Sequence, residues 1–87
     1  MAEIIYPNGE TLGFKYEGKK PTLAALQAAV EGYIQIVKTN DGRFLICNEE
    51  GKLKNLEPNH VATELYEHGQ CDAIVGNAVI LNENEME

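Results

Sequence analysis

The chain has 87 residues, 44% of them hydrophobic and 7% aromatic, with no Trp and no Ser. This is room for one modest core, since a chain of this size buries only ~60% of the surface it exposes when unfolded. The absence of Ser removes every serine-nucleophile mechanism. A formal charge of −7 argues against bulk binding to a nucleic-acid backbone or an anionic membrane.

In chain order, Glu3–Tyr6 is a short β-prone run closed by the turn-forming Pro7-Asn8-Gly9. Leu12, Phe14 and Tyr16 alternate with Gly13, Lys15 and Glu17, which predicts a half-buried strand paired with the first as a hairpin. Thr22 stands at the N-cap position of an Ala- and Leu-rich helix over 23–31, with Leu23, Leu26 and Val30 on one apolar stripe and Gly32 as its stop. Tyr33–Val37 and Arg43–Cys47 flank Asp41-Gly42, a strong hairpin signal, and their apolar density places them at the sheet centre. After a polar turn at 48–52, Leu53 and Leu56 are expected to return to the core. Asn59 caps a second helix that buries Val61, Ala62 and Leu65, borders on Tyr66 and stops at Gly69. Residues 72–81 form a last strand, or two short ones hinged at Gly76-Asn77. The order β-β-α-β-β-α-β predicts a single α+β domain over 1–82, with a mostly antiparallel sheet packed by two helices. An acidic tail occupies 83–87.

The charge is unevenly placed. Residues 1–44 are net neutral, and the whole imbalance of −7 lies in 45–87. That half is either a solvating surface or a docking face for a basic partner. Cys47 and Cys71 are isolated, without Cys-x-x-Cys spacing, so a structural zinc site is not expected. His60, Glu64 and His68 fall at i, i+4 and i+8, drifting ~40° at each step along a straight helix. One polar helix face accounts for them without a metal.

The densest polar group is Asn48-Glu49-Glu50-Gly51-Lys52. As a β-turn it uses Asn48 and Glu49 on backbone donors and Gly51 for positive φ. As a recognition loop, Asn48 and Glu49 read a base or ribose edge. Lys52, Lys54 and Arg43 then offset phosphate charge, the helix start at Asn59 offers free N–H groups, and Tyr33 stacks on a base. Asn55, Asn59 and Asn77 are further amides suited to base edges, or else Asn59 serves as a helix cap and Asn77 as a turn former. Tyr16 has the same choice between core and stacking. No catalytic device and no phosphate or dinucleotide motif accompanies these residues, so a non-enzymatic protein without cofactor is expected.

Glu31-Gly32-Tyr33-Ile34-Gln35-Ile36-Val37, Asn48-Glu49-Glu50-Gly51-Lys52-Leu53 and the helix start at Asn59 with Ala62 and Thr63 carry a resemblance over residues 22–81. A final Gly76-to-Ile80 element completes it. The chain resembles a family of small phage and plasmid proteins known only as a domain of unknown function. It departs from that family at Glu31, where a second glycine is common. The resemblance implies a mobile-element accessory protein in a bacterial cytoplasm, acting in counter-defence by sequestering a small nucleotide-type immune signal. The alternative is inhibition of a host protein through the acidic half. No direct nucleic-acid or membrane partner is expected, and a ligand pocket on so small a chain forms most easily between subunits of a symmetric homo-oligomer.

Overall fold

A computed structural model describes residues 2–86; Met1 and Glu87, the last residue of the acidic segment, lie outside the described residues. β1 (Glu3–Ile5) and β2 (Thr11–Gly13) form the first hairpin, in the register Ile5 to Thr11. α1 (Leu23–Val30) follows, then the hairpin of β3 (Ile34–Lys38) and β4 (Phe44–Asn48), α2 (His60–Leu65) and β5 (Ala78–Leu81). The five strands make one sheet in the order β2-β1-β5-β4-β3, with every neighbouring pair antiparallel. The α+β class and the element order are those the sequence predicts.

The sheet lies between two apolar layers. On the α1 side Leu26 and Val30 pack with Ile46, Val79 and Leu81. On the α2 side Ala62 and Ile74 pack with Ile5, Leu45, Cys47 and Ile80. β5 sits centrally, and all four of its residues are buried, which is why it reads as a continuous apolar run rather than an alternating one. Fully burying one such Leu, Ile or Val contributes about 1.5–3 kcal/mol. Cys47 is buried and Cys71 exposed, both as free thiols, and burial pushes the Cys47 thiol up to about 11.

Local chemistry sets the boundaries. Thr22 accepts from the Ala25 N–H at 3.1 Å, the expected N-cap of α1. The helix ends one residue earlier than expected. Glu31, not Gly32, takes the left-handed conformation (φ 65°), and the Gly32 N–H reaches back to the Gln27 carbonyl at 3.1 Å. Gly32 is held for space instead, because a Cβ there would stand 2.6 Å from Asn48 Nδ2. β2 stops at Gly13, and Phe14 and Tyr16 pack on the α1-side core from outside the ladder.

Four further expectations are corrected. β3 is an edge strand, because β5 inserts between the two hairpins and takes the centre. Leu53 is 87% exposed at the apex of the 49–57 loop, and only Leu56 turns inward, against Gly51 and Gly76. Val61 is 37% exposed, since the short α2 presents little beyond Ala62 to the sheet. α2 ends at Leu65 because Tyr66 is extended and bridges to Thr39, so His68 does not share a helix face with His60 and Glu64. Neither form predicted for the last strand occurs in full: Val75 makes only an isolated bridge to Pro58, Gly76 turns at φ 77°, and the one strand, β5, begins at Ala78. Residues 83–85 form a short 3-10 turn, in which Asn82 and Glu85 cap each other and Glu85 accepts from the Tyr16 hydroxyl.

An L-residue in the left-handed region costs about 1–2 kcal/mol relative to right-handed backbone, and glycine avoids most of that. Glu31→Gly is therefore expected to raise stability by about 0.5–1 kcal/mol in urea unfolding, against the usual penalty for an added glycine.

Candidate functional site

The structure separates the residues that the sequence groups into a ligand loop. Asn48 is 5% exposed; its Nδ2 donates to the Val30 carbonyl at 3.0 Å, and its Oδ1 accepts from the Glu50 N–H at 2.8 Å. It ties the end of α1 to the 49–57 loop. Asn59 is fully buried, donating to the carbonyls of Ile5 (2.9 Å) and Gly76 (2.8 Å) and accepting from the Ala62 N–H (3.1 Å). Neither amide faces a ligand, because a buried amide is held by the backbone groups it satisfies. The start of α2 is likewise closed by the Asn59 cap.

Arg43 lies at the other end of β4 from Asn48, roughly 17 Å away along an extended strand. It is held by Asp41, with Nε 2.9 and 3.0 Å from the two carboxylate oxygens and a terminal nitrogen at 2.7 Å. Lys52 is paired with Asp72. Lys54 stands 3.7 Å from Glu50, four residues away in sequence, and both side chains of the pair remain partly exposed. Glu49 is exposed, and its N–H donates to the Tyr33 carbonyl at 2.9 Å. Tyr33, 62% exposed, and Lys54 come together, with Gln27, Gly32 and Glu50, around a shallow hollow of about 220 Å³, and Glu49 and Lys52 line a separate hollow of about 220 Å³ beside Asp72 and Tyr66. Asn55 takes the left-handed conformation (φ 55°) in the loop. Among the described residues no group of three or more His, Cys, Asp or Glu is arranged to hold a metal. Among the described residues no helix is long and apolar enough to cross a membrane.

A larger concavity lies elsewhere. Two hollows of about 460 and 530 Å³ share Tyr6, Glu31 and Asn77 and make one groove along the end of α1. The β1–β2 turn supplies Tyr6, Asn8 and Glu10, α1 ends into it with Glu31, the 49–57 loop brings Leu56 and Glu57, and the turn before β5 adds Asn77. Asn77 Nδ2 donates to the Ala29 carbonyl at 3.2 Å, which aims its carbonyl oxygen away from that bond. The Gly76 N–H donates to the Glu57 carbonyl at 2.7 Å and fixes the loop against the strand entrance. The groove carries three carboxylates and no Lys, Arg or His among its lining residues. Oxygen acceptors surround an aromatic ring, an environment that favours a cation and repels a phosphate.

The sequence gives little signal of this groove. Glu10, Glu31 and Glu57 come from three distant stretches, and Tyr6 reads only as the end of a β-prone run. The one local sign is Glu31, a charged residue at the end of a helix otherwise rich in Ala and Leu.

A five-stranded antiparallel sheet between two short helices, with an acidic groove at one end, defines a small α+β domain. The family model for the Domain of unknown function (DUF3846) matches residues 5–87, and the chain belongs to that family. No curated protein and no solved structure matches it.

The Arg43 guanidinium, and then the Thr39 hydroxyl, hold the Asp41 carboxyl well below the usual carboxylate range. A depressed native pKa stabilises above the unfolded value of ~3.9 and is lost as pH falls through the native value. Asp41→Asn is thus expected to be less stable than the parent at pH 7, with the gap closing as pH falls below about 4. Urea midpoints of both proteins across pH 2–7 check this, and a gap that stays constant on acidification contradicts it.

Proposed function

We propose that the protein acts by binding, not catalysis, and that the groove at the end of α1 receives a basic side chain of a protein partner. The observation that carries this reading is the composition of the groove: Glu10, Glu31 and Glu57 around Tyr6, with no cationic residue lining it. An Arg or Lys from a partner would find carboxylates for its donors, the Asn77 carbonyl oxygen, and the Tyr6 ring for its face. The overall charge of −7 adds long-range attraction for a basic partner. The resemblance to phage and plasmid proteins supports placing such a partner in the host, with stoichiometric inhibition in counter-defence as the outcome.

Sequestration of a nucleotide-type signal is the second reading. It is favoured by one feature, the exposed Tyr33 ring beside Lys54. It is weakened by the internal commitments of Asn48, Asn59, Arg43 and Lys52.

Backbone amide NMR titration with two probes separates the readings. A short Arg-Lys peptide is expected to shift residues 6–12, 31, 57 and 76–77, and cyclic AMP to shift none of them. Replacing Glu10 and Glu57 together with Gln should weaken peptide binding about tenfold at low salt, and added salt should weaken the parent in the same direction. Shifts at 27, 32–33 and 50–54 with cyclic AMP, and none with the peptide, would overturn the proposal in favour of sequestration.

A further inference from the structure

The groove continues past its acidic end along the flank of α1. Beyond Tyr6, Glu31 and Asn77 its walls are Ile4 and Phe14 from the first hairpin and Ala25, Ala28 and Ala29 from the helix. Ile4 pairs with Leu12 across the β1–β2 ladder and packs in the α1-side core, so Leu12 shares that face of the sheet. Leu12 is nevertheless 59% exposed, and Ala28 is exposed as well. The cause is the placement of α1, which packs on β3, β4 and β5. β1 and β2 extend the sheet beyond β5, and two strand spacings of about 4.8 Å leave a ledge roughly 10 Å wide beside the helix. That width is the diameter of one more helix, about 10 Å with its side chains.

We infer that the groove seats an amphipathic helix of the partner protein, antiparallel to α1, with its basic residue at or just before its first turn. The inference rests on the reading of the acidic end as the seat of a basic side chain, and it adds the element that carries that side chain. Width and lining select a helix. An extended strand would fill half of the ledge, whereas the apolar stripe of a helix covers Leu12, Ile4 and Phe14 together. The alanines of α1 are short enough to let a second helix approach to a normal interaxial distance of about 8–10 Å.

Charge selects the direction. Glu10, Glu31 and Glu57 gather where α1 ends, and the last carbonyls of a helix already make that end negative. A partner helix that begins there presents its positive N-terminal end and its basic side chain to the same carboxylates. The reverse direction sets its negative end against them. From Ala25 to Glu31 the groove runs about 9 Å along α1, so the first two turns after the basic residue make the apolar contacts.

Two Ala- and Gln-based peptides of about 16 residues, long enough to hold a helix, test this by amide NMR titration of the full chain. Both carry Leu at i, i+3, i+4 and i+7; one has its single Arg at the start and the other at the end. The first should shift Ile4, Phe14, Ala25 and Ala28 together with the acidic end, and bind about tenfold tighter than the short Arg-Lys peptide. The second should bind at least about fivefold more weakly than the first. Ala28→Gln keeps a good helix former at an exposed position and should remove the tenfold gain. Equal binding of the two helical peptides, no gain over the short peptide, or a gain that survives Ala28→Gln overturns the inference and leaves the basic-side-chain reading in place. Silence from all three peptides overturns both. Concentration-dependent shifts at the same residues in the chain alone would give the groove to a second copy and also overturn the inference.

Discussion

The Asn59 side chain lies where three parts of the chain converge, and its hydrogen bonds hold them in register. Its amide joins the last residue of β1, the turn that leads into β5 and the first turn of α2. Its backbone N–H donates to the Ile74 carbonyl at 2.8 Å, and its carbonyl accepts from the Thr63 N–H and hydroxyl. Only a carboxamide of this length supplies two donors and an acceptor from one buried position. An aspartate would lose both donors and bury a charge; a glutamine would carry an extra methylene into a filled space. The contacts matter because β1 and β5 are distant in sequence and adjacent in the sheet. The same knot holds Gly76 next to Leu56 and Glu57, so the groove depends on it as well as the sheet.

Much of the fold is legible locally. Asp41-Gly42 between two β-branched runs marks the second hairpin, Thr22 and Asn59 mark the helix starts, and the order of elements follows. The structure departs from the reading where the deciding contact is non-local. β3 and β4 are alike in apolar content, yet only β4 gains a second neighbour, because β5 returns to pair with it. Leu53 is as apolar as Leu56, but the loop places one outside and the other over Gly76. The α2 stop at Leu65 comes from Tyr66 bridging to Thr39, a contact with no signature near Gly69.

The candidate site was less legible than the fold, for a chemical reason. Asn, Lys and Arg beside turns are equally suited to binding a ligand and to satisfying backbone or carboxylate groups nearby. In this chain the second use dominates: Asn48 and Asn59 serve the backbone, while Arg43 and Lys52 are joined to Asp41 and Asp72. The carboxylates of the groove are spaced too far apart in sequence to read as a group. Glu31 connects the levels, closing α1 in a conformation that favours glycine and placing its side chain at the groove.

The dependence of the fold on Asn59 is tested most directly by equilibrium urea unfolding of Asn59→Ala. That substitution leaves the Ile5 and Gly76 carbonyls and the Ala62 N–H without their partner in a site that excludes water. The account predicts a loss of about 3–5 kcal/mol, with the amide spectrum disturbed together at β1, α2 and the start of β5. A loss below about 1 kcal/mol, the size of an ordinary exposed helix cap, would contradict it.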